Sequence, residues 1–172
     1  AGFIGFMDDM LGWLKGLRKK TKVMLTIAIA LPLVVINAGH STIMLPFNGA
    51  IDFGLFYPLL LVPLGVICAS NAYNMLAGYN GLEAGMGVII FSTLSYVSYV
   101  SGNIWLTTIG GIIVCSLLAF LVFNWYPSKI FPGDTLTYPL GALVAAMAIL
   151  GNMQAIALVL FIPYFFDFIL TS

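Results

Sequence analysis

Apolar residues fall in seven runs, at 1–7, 23–38, 53–70, 85–100, 104–123, 136–150 and 155–170, with polar stretches between them. The first run is partial, and most of the others sit near the short end of the roughly 17–25 residues that a spanning helix needs. Backbone polar groups find no water inside lipid, so the runs are predicted as helices rather than strands. The pattern predicts an all-α fold, a polytopic transmembrane helix bundle. It has about six full spans plus a partial first one, in a single domain over residues 1–172. Pro32, Pro58, Pro63, Pro139 and Pro163 fall within the runs and should start or kink helices locally. No internal repeat is apparent, which argues against a transporter built on inverted repeats.

The connections alternate in character. The stretch 8–22 holds Lys15, Arg18, Lys19, Lys20 and Lys22, and the stretch 124–135 holds Lys129. The stretch 39–52 has neither Lys nor Arg, and the turns near Ser101-Gly-Asn103 and Gly151-Asn-Met-Gln154 are tight and uncharged. Counting spans puts 8–22, 71–84 and 124–135 on one side, and the positive-inside rule makes that side cytoplasmic. Asp8, Asp9, Glu83 and Asp134 gather there, Asp167 falls near the same end of the last span, and Asp52 lies opposite. Polarity is thus concentrated at one rim, as expected of an active site at a membrane surface.

Composition sharpens this. The chain is 62% hydrophobic and 7% charged, too little charge for a soluble domain of 172 residues. Six basic residues balance six acidic ones, so no nucleic-acid surface is indicated and the expected surroundings are a lipid bilayer. Cys68 and Cys115 lie inside apolar runs and read as buried packing residues in separate spans. Because the chain opens and closes within apolar runs, it reads as a piece of a longer polytopic protein.

Three stretches carry the candidate chemistry. Asp8-Asp9 is either a solvated helix end or part of a site, since adjacent helical residues are about 100° apart and cannot both face lipid. In Asn71-Ala-Tyr-Asn74-Met-Leu-Ala-Gly78-Tyr-Asn80-Gly81-Leu-Glu83, Gly78 and Gly81 permit close backbone approach to a ligand, or simply make a turn with Asn at turn positions. Asn71, Asn74 and Gly78 would share one face if the stretch were helical. Glu83 reads as a charge at a helix start. In Asn124-Trp-Tyr-Pro127-Ser-Lys-Ile-Phe131-Pro-Gly133-Asp134-Thr135, Asp134 reads as a helix N-cap that could also hold a hard cation. Phe131 reads as packing or as a stacking surface. His40, the only histidine, falls on the far side and reads as a surface residue.

Together, Phe6-Met-Asp8-Asp9 and these two stretches, in this order and spacing, resemble the polyprenyl-phosphate N-acetylhexosamine-1-phosphate transferases. The form L-A-G-x-N-G-L-E and the run N-W-Y-P-S look like the eukaryotic and archaeal dolichyl-phosphate branch; bacterial members usually carry Asp where this chain has Ala77 and Asn80. The resemblance covers essentially the whole chain. It implies transfer of GlcNAc-1-phosphate from UDP-GlcNAc to dolichyl (polyprenyl) phosphate, giving GlcNAc-diphosphodolichol and UMP. That reaction starts a lipid-linked oligosaccharide for N-glycosylation, in an archaeal plasma membrane or the endoplasmic reticulum. The short loops favour an archaeal source.

The resemblance also implies roles. Asn74 and Asp134 resemble Mg²⁺ ligands, Asp8 and Asp9 the catalytic acidic pair that deprotonates or positions the lipid phosphate, and Lys22 a phosphate-contacting lysine. Asn80 and Phe131 resemble uracil-recognising positions, with Gly78 in the same nucleotide loop. Two departures stand out. Gly12 occupies a position that is often acidic or amide in the family, and the chain stops before a later loop whose His or Arg residues engage the sugar and diphosphate. The fragment alone is therefore expected to be incomplete as an enzyme. Another UDP-N-acetylhexosamine donor of the lipid I type is the alternative within the family, and a membrane transporter the alternative outside it. The oligomeric state is not fixed, and a homodimer is left open.

Overall fold

In the computed structural model the described residues are 1–12, 19–36, 42–45, 49–76 and 78–171. Lys15, Arg18, His40 and Ala77 lie outside them. Helix α1 spans Gly2–Gly12 and α2 Lys19–Ile36. A π-helical turn, Tyr57–Leu61, leads into α3, Val62–Met75. Then follow α4 (Leu82–Val100), α5 (Ile104–Asn124), α6 (Asp134–Leu150), α7 (Gln154–Leu160) and α8 (Ile162–Thr171).

Prolines mark the predicted punctuation. Pro58 falls at a helix start, where a missing N–H leaves no bond unmade, Pro63 falls where the π-helical turn passes into α3, and Pro163 sits in the first turn of α8. The run 155–170 is accordingly two short helices that meet at Phe161. Pro32 and Pro139 lie inside α2 and α6.

Among the described residues, three helical stretches are long and apolar enough to cross a membrane: Tyr57–Met75, Leu82–Val100 and Ile104–Asn124. Met24–Ile36 and α6 are shorter apolar helices. The protein is an integral membrane protein, mainly helical, and its exposed Ile104, Ile112 and Val122 on α5 suit a lipid-facing surface. The stretch 39–52, which has neither Lys nor Arg, adds an element the apolar pattern did not predict. It carries a hairpin in which β1, Thr42–Leu45, pairs antiparallel with β2, Gly49–Asp52.

Helix α6 is the centre of the bundle. It packs along α3 and against α1, while α4 pairs with α5 and α2 lies on α3. The tightest seams are built on glycine. A Cβ at Gly5 of α1 would overlap the Asp134 carbonyl, and one at Gly141 of α6 would overlap the Ala69 carbonyl of α3. Buried Tyr73, Phe91, Leu94, Leu117 and Met147 fill the core among α3, α4, α5 and α6. An apolar cavity of about 360 Å³ runs beside α3, α6 and α7 from Tyr57 to Ala72, its polar lining reduced to the Tyr57–Gln154 pair. Cys68 lines this cavity, and both Cys68 and Cys115 are exposed, which corrects their expected burial.

Candidate active site

Helices α1, α3 and α5 end, and α2, α4 and α6 begin, at one rim of the bundle. Asp8 and Asp9 lie within α1 and Lys22 within the first turn of α2, so the stretch 8–22 is less of a loop than the polarity pattern suggested. The Gly5 seam sets α1 against the start of α6 and brings both carboxylates to it.

Lys22 stands between two carboxylates. Its Nζ donates to Asp134 Oδ2 at 2.8 Å and forms an ion pair with Asp8. The ammonium also lies 5.5 Å from the centroid of the Tyr138 ring. All three charged side chains are mostly buried, between 13% and 20% exposed. Burial works against the Lys22 charge, but the hydrogen bonds to Asp134 and Asp8 and the Asp134 charge outweigh it and hold the ammonium above the ordinary lysine range. Burial and the neighbouring Asp8 carboxyl push Asp134 above the usual carboxylate range, against the pull of Lys22. Within this cluster two carboxylates share one ammonium.

Asp9 faces elsewhere. Its Oδ1 accepts from the Asp134 amide at 3.0 Å, and its Oδ2 from the Thr135 amide at 2.9 Å and the Thr135 hydroxyl at 2.5 Å. Asp134 itself is the first residue of α6 and Gly133 the N-cap, so the expectation that Asp134 caps the helix is corrected.

Asn74 meets α6 one turn further in. Its Oδ1 accepts from Thr137 Oγ1 at 2.6 Å, and Asn71 Oδ1 accepts from the Tyr138 hydroxyl at 3.2 Å. Helix α3 ends at Met75, so Gly78 does not continue the Asn71–Asn74 face. Gly78, at φ +121°, belongs to the loop that follows, where left-handed backbone favours glycine. Its amide donates to Glu83 Oε1 at 2.5 Å. Glu83 is more than a charge at a helix start, because it is buried and secures the loop ahead of α4. Asn80 and Phe131 are exposed in their separate loops.

One residue joins those loops. Buried Asn124, the last of α5, accepts from the Gly81 amide at 3.0 Å and donates to the Ile130 carbonyl at 2.8 Å. Sequence reasoning took it only as part of a motif. The available signal was an amide side chain closing a 21-residue apolar helix, where a polar group must find partners.

The donor set suits a hard cation. Asp8, Asp134 and Asn74 offer only oxygen, and a cationic ammonium already sits between the two carboxylates. Among the described residues no group of three or more His, Cys, Asp or Glu is placed to hold a metal, so an ion here would take much of its shell from phosphate and water.

A family model described as glycosyl transferase family 4 matches residues 1–152. The chain belongs to glycosyl transferase family 4. Among its relatives is a Saccharolobus solfataricus protein provisionally named UDP-N-acetylglucosamine--dolichyl-phosphate N-acetylglucosaminephosphotransferase. It is 43% identical over 175 aligned residues, covering 98% of this chain and 52% of the relative. A Dictyostelium discoideum protein of the same name, without that qualifier, is 31% identical over 199 residues, covering 96% of this chain and 48% of the relative. A phospho-N-acetylmuramoyl-pentapeptide-transferase of Halalkalibacterium halodurans is 35% identical over 168 residues, covering 92% of this chain and 51% of the relative. The chain spans about half the length of the curated relatives it matches.

For this family 4 chain, the structure brings together Asp8, Lys22 and Asp134 directly, and Asn74 through Thr137 on the same helix. It sets Asp9 on the backbone of α6 and Gly78 on Glu83.

Proposed function

We propose that this protein transfers GlcNAc-1-phosphate from UDP-GlcNAc to dolichyl (polyprenyl) phosphate, with Mg²⁺, at a cytoplasmic rim of an archaeal plasma membrane or endoplasmic-reticulum membrane. The observation that carries this reading is the Asp8–Lys22–Asp134 cluster, assembled from α1, α2 and α6. The names of the Saccharolobus and Dictyostelium relatives favour the donor and acceptor.

In the reaction an oxygen of the lipid phosphate attacks the phosphorus that bears GlcNAc. A new P–O bond forms, the bond from that phosphorus to the bridging diphosphate oxygen breaks, and the oxygen leaves with UMP. Asp8 takes the remaining proton of the lipid phosphate or orients its oxygen toward the sugar phosphate. Lys22 supplies positive charge to the phosphates, for which it exchanges one of its carboxylate partners. Asp134 and Asn74 would hold Mg²⁺, which when bound neutralises charge on the diphosphate and stabilises the leaving UMP. Asn80 hydrogen-bonds the uracil, Phe131 stacks on it, and Gly78 keeps the backbone of the nucleotide loop open to it. The apolar cavity beside α3 and α6 suits hydrocarbon and is consistent with a lipid acceptor.

The test is transfer of labelled GlcNAc-phosphate to dolichyl phosphate by the purified full-length protein. Transfer should vanish in Asp134→Ala and in EDTA, and undiminished transfer in both would sink the mechanism. A second donor, UDP-MurNAc-pentapeptide, is kept in view by the Halalkalibacterium relative. Preference for it over UDP-GlcNAc would reassign the substrate without changing the site.

A further inference from the structure

The acidic pair Asp8-Asp9 is divided by the structure. The first amides of a helix have no partner inside it, and an N-cap side chain usually supplies one. The N-cap of α6 is Gly133, which has no side chain to offer. Asp9 supplies the missing acceptor from another helix, with one carboxylate oxygen on the Asp134 amide and the other on the amide and hydroxyl of Thr135. Two glycines make this reach feasible. A Cβ on Gly133 would strike the Asp9 carboxylate, and a Cβ on Gly5, one helical turn before Asp9, would strike the Asp134 carbonyl. Asp8, by contrast, is paired with Lys22, which also holds Asp134.

We propose that Asp9 is a positioning residue: a cap lent by α1 to α6 that fixes Asp134, leaving Asp8 as the member of the pair that meets the reactants. Asp9 acts through the α6 backbone, and its negative charge also lies at the positive end of that helix. This inference rests on the proposed role of Asp134 at the diphosphate. It predicts that a neutral acceptor can replace Asp9 in part, because an amide oxygen still receives a backbone N–H, whereas a base could not be replaced so.

The experiment uses the purified full-length protein in detergent, with Asp9→Asn, Asp9→Ala, Asp8→Asn and Thr135→Val. Three quantities are read: hydrogen exchange at the Asp134 and Thr135 amides, Mn²⁺ affinity by electron paramagnetic resonance without substrate, and GlcNAc-phosphate transfer. Asp9→Ala should speed exchange at those amides about tenfold and weaken Mn²⁺ binding by a similar factor of about ten. Asp9→Asn should recover most of both and keep measurable transfer. Asp8→Asn should leave amide protection intact while transfer falls more than about 100-fold. Unchanged exchange in Asp9→Ala overturns the cap. Faster exchange with unchanged Mn²⁺ affinity and transfer reduces Asp9 to a structural residue and overturns the positioning role. Transfer in Asp9→Asn as low as in Asp8→Asn, with Mn²⁺ affinity intact, makes Asp9 a group that touches substrate and overturns the division. Should Asp9→Ala fail to fold, Asp9→Asn and Thr135→Val, which keep part of the cap, decide the same question. If the unsubstituted protein transfers no GlcNAc-phosphate, the proposed function fails, and amide exchange still decides the cap.

Discussion

Asn124 accepts a hydrogen bond from the Gly81 amide at 3.0 Å and so fastens the end of α5 to the loop that opens α4. Its amide group also donates to the Ile130 carbonyl. The two backbone groups it holds are the immediate neighbours of Asn80 and Phe131, the proposed uracil contacts. Asn124→Ala leaves the buried Gly81 amide without its partner, which costs about 1–3 kcal/mol, while the Ile130 carbonyl keeps the Ser128 hydroxyl. The expected result is a lower thermal midpoint and a KM for UDP-GlcNAc raised about tenfold, with the KM for dolichyl phosphate unchanged. Steady-state kinetics with each substrate varied in turn read the difference.

Phe131→Ala should raise the KM for UDP-GlcNAc without altering protein stability, since the ring is 55% exposed and supports no core. Loss of one aromatic–base stack costs about 1–3 kcal/mol. Phe131→Tyr should retain near-normal binding. Equal KM values for the alanine variant and the unsubstituted protein would remove Phe131 from the nucleotide site.

Lys22→Met leaves Asp8 and Asp134 facing each other without the ammonium that now bridges them. The metal would no longer compete with a fixed cation, so Mn²⁺ should bind several-fold more tightly. Transfer should nonetheless fall by about 100-fold or more, because the phosphates lose a charge partner. Weaker Mn²⁺ binding in this variant would mean that Lys22 organises the carboxylates rather than holding their place.

How far the sequence reached depends on the range of the interaction. Helical runs and proline positions follow from patterns within about 20 residues: of the prolines expected to start or kink helices, Pro58 and Pro163 fall in first turns and Pro32 and Pro139 inside helices. Motif resemblance gathered Asp8, Lys22, Asn74 and Asp134, which the fold does bring to one rim. The different duties of Asp8 and Asp9 were not legible, because Asp9 finds its partners 125 and 126 residues away on a helix backbone. Glu83 looked like an ordinary charge in a first turn, and only the fold shows it buried on the Gly78 amide. The hairpin was missed because four-residue strands leave no alternation long enough to stand out in an oily chain.

Gly141→Ala should destabilise the bundle, since its methyl must displace the Ala69 backbone, and overpacking of this kind costs about 1–3 kcal/mol. Gly111→Ala is the matched control: nothing lies within 4 Å of a Cβ there, and alanine favours the helix. A thermal midpoint that drops for the first and holds or rises for the second is the expected pattern, read by unfolding in detergent.

The glycine seams also govern what can move. At Gly5 and Gly141, α6 touches its neighbours main chain to main chain, with no side chain between them that could change rotamer and let the helices slide. Helices α1, α3 and α6 therefore travel as one block, and the distance from Asp8 to Asp134 is built in before any reactant arrives. Any rearrangement of the site must then come from elements outside this frame.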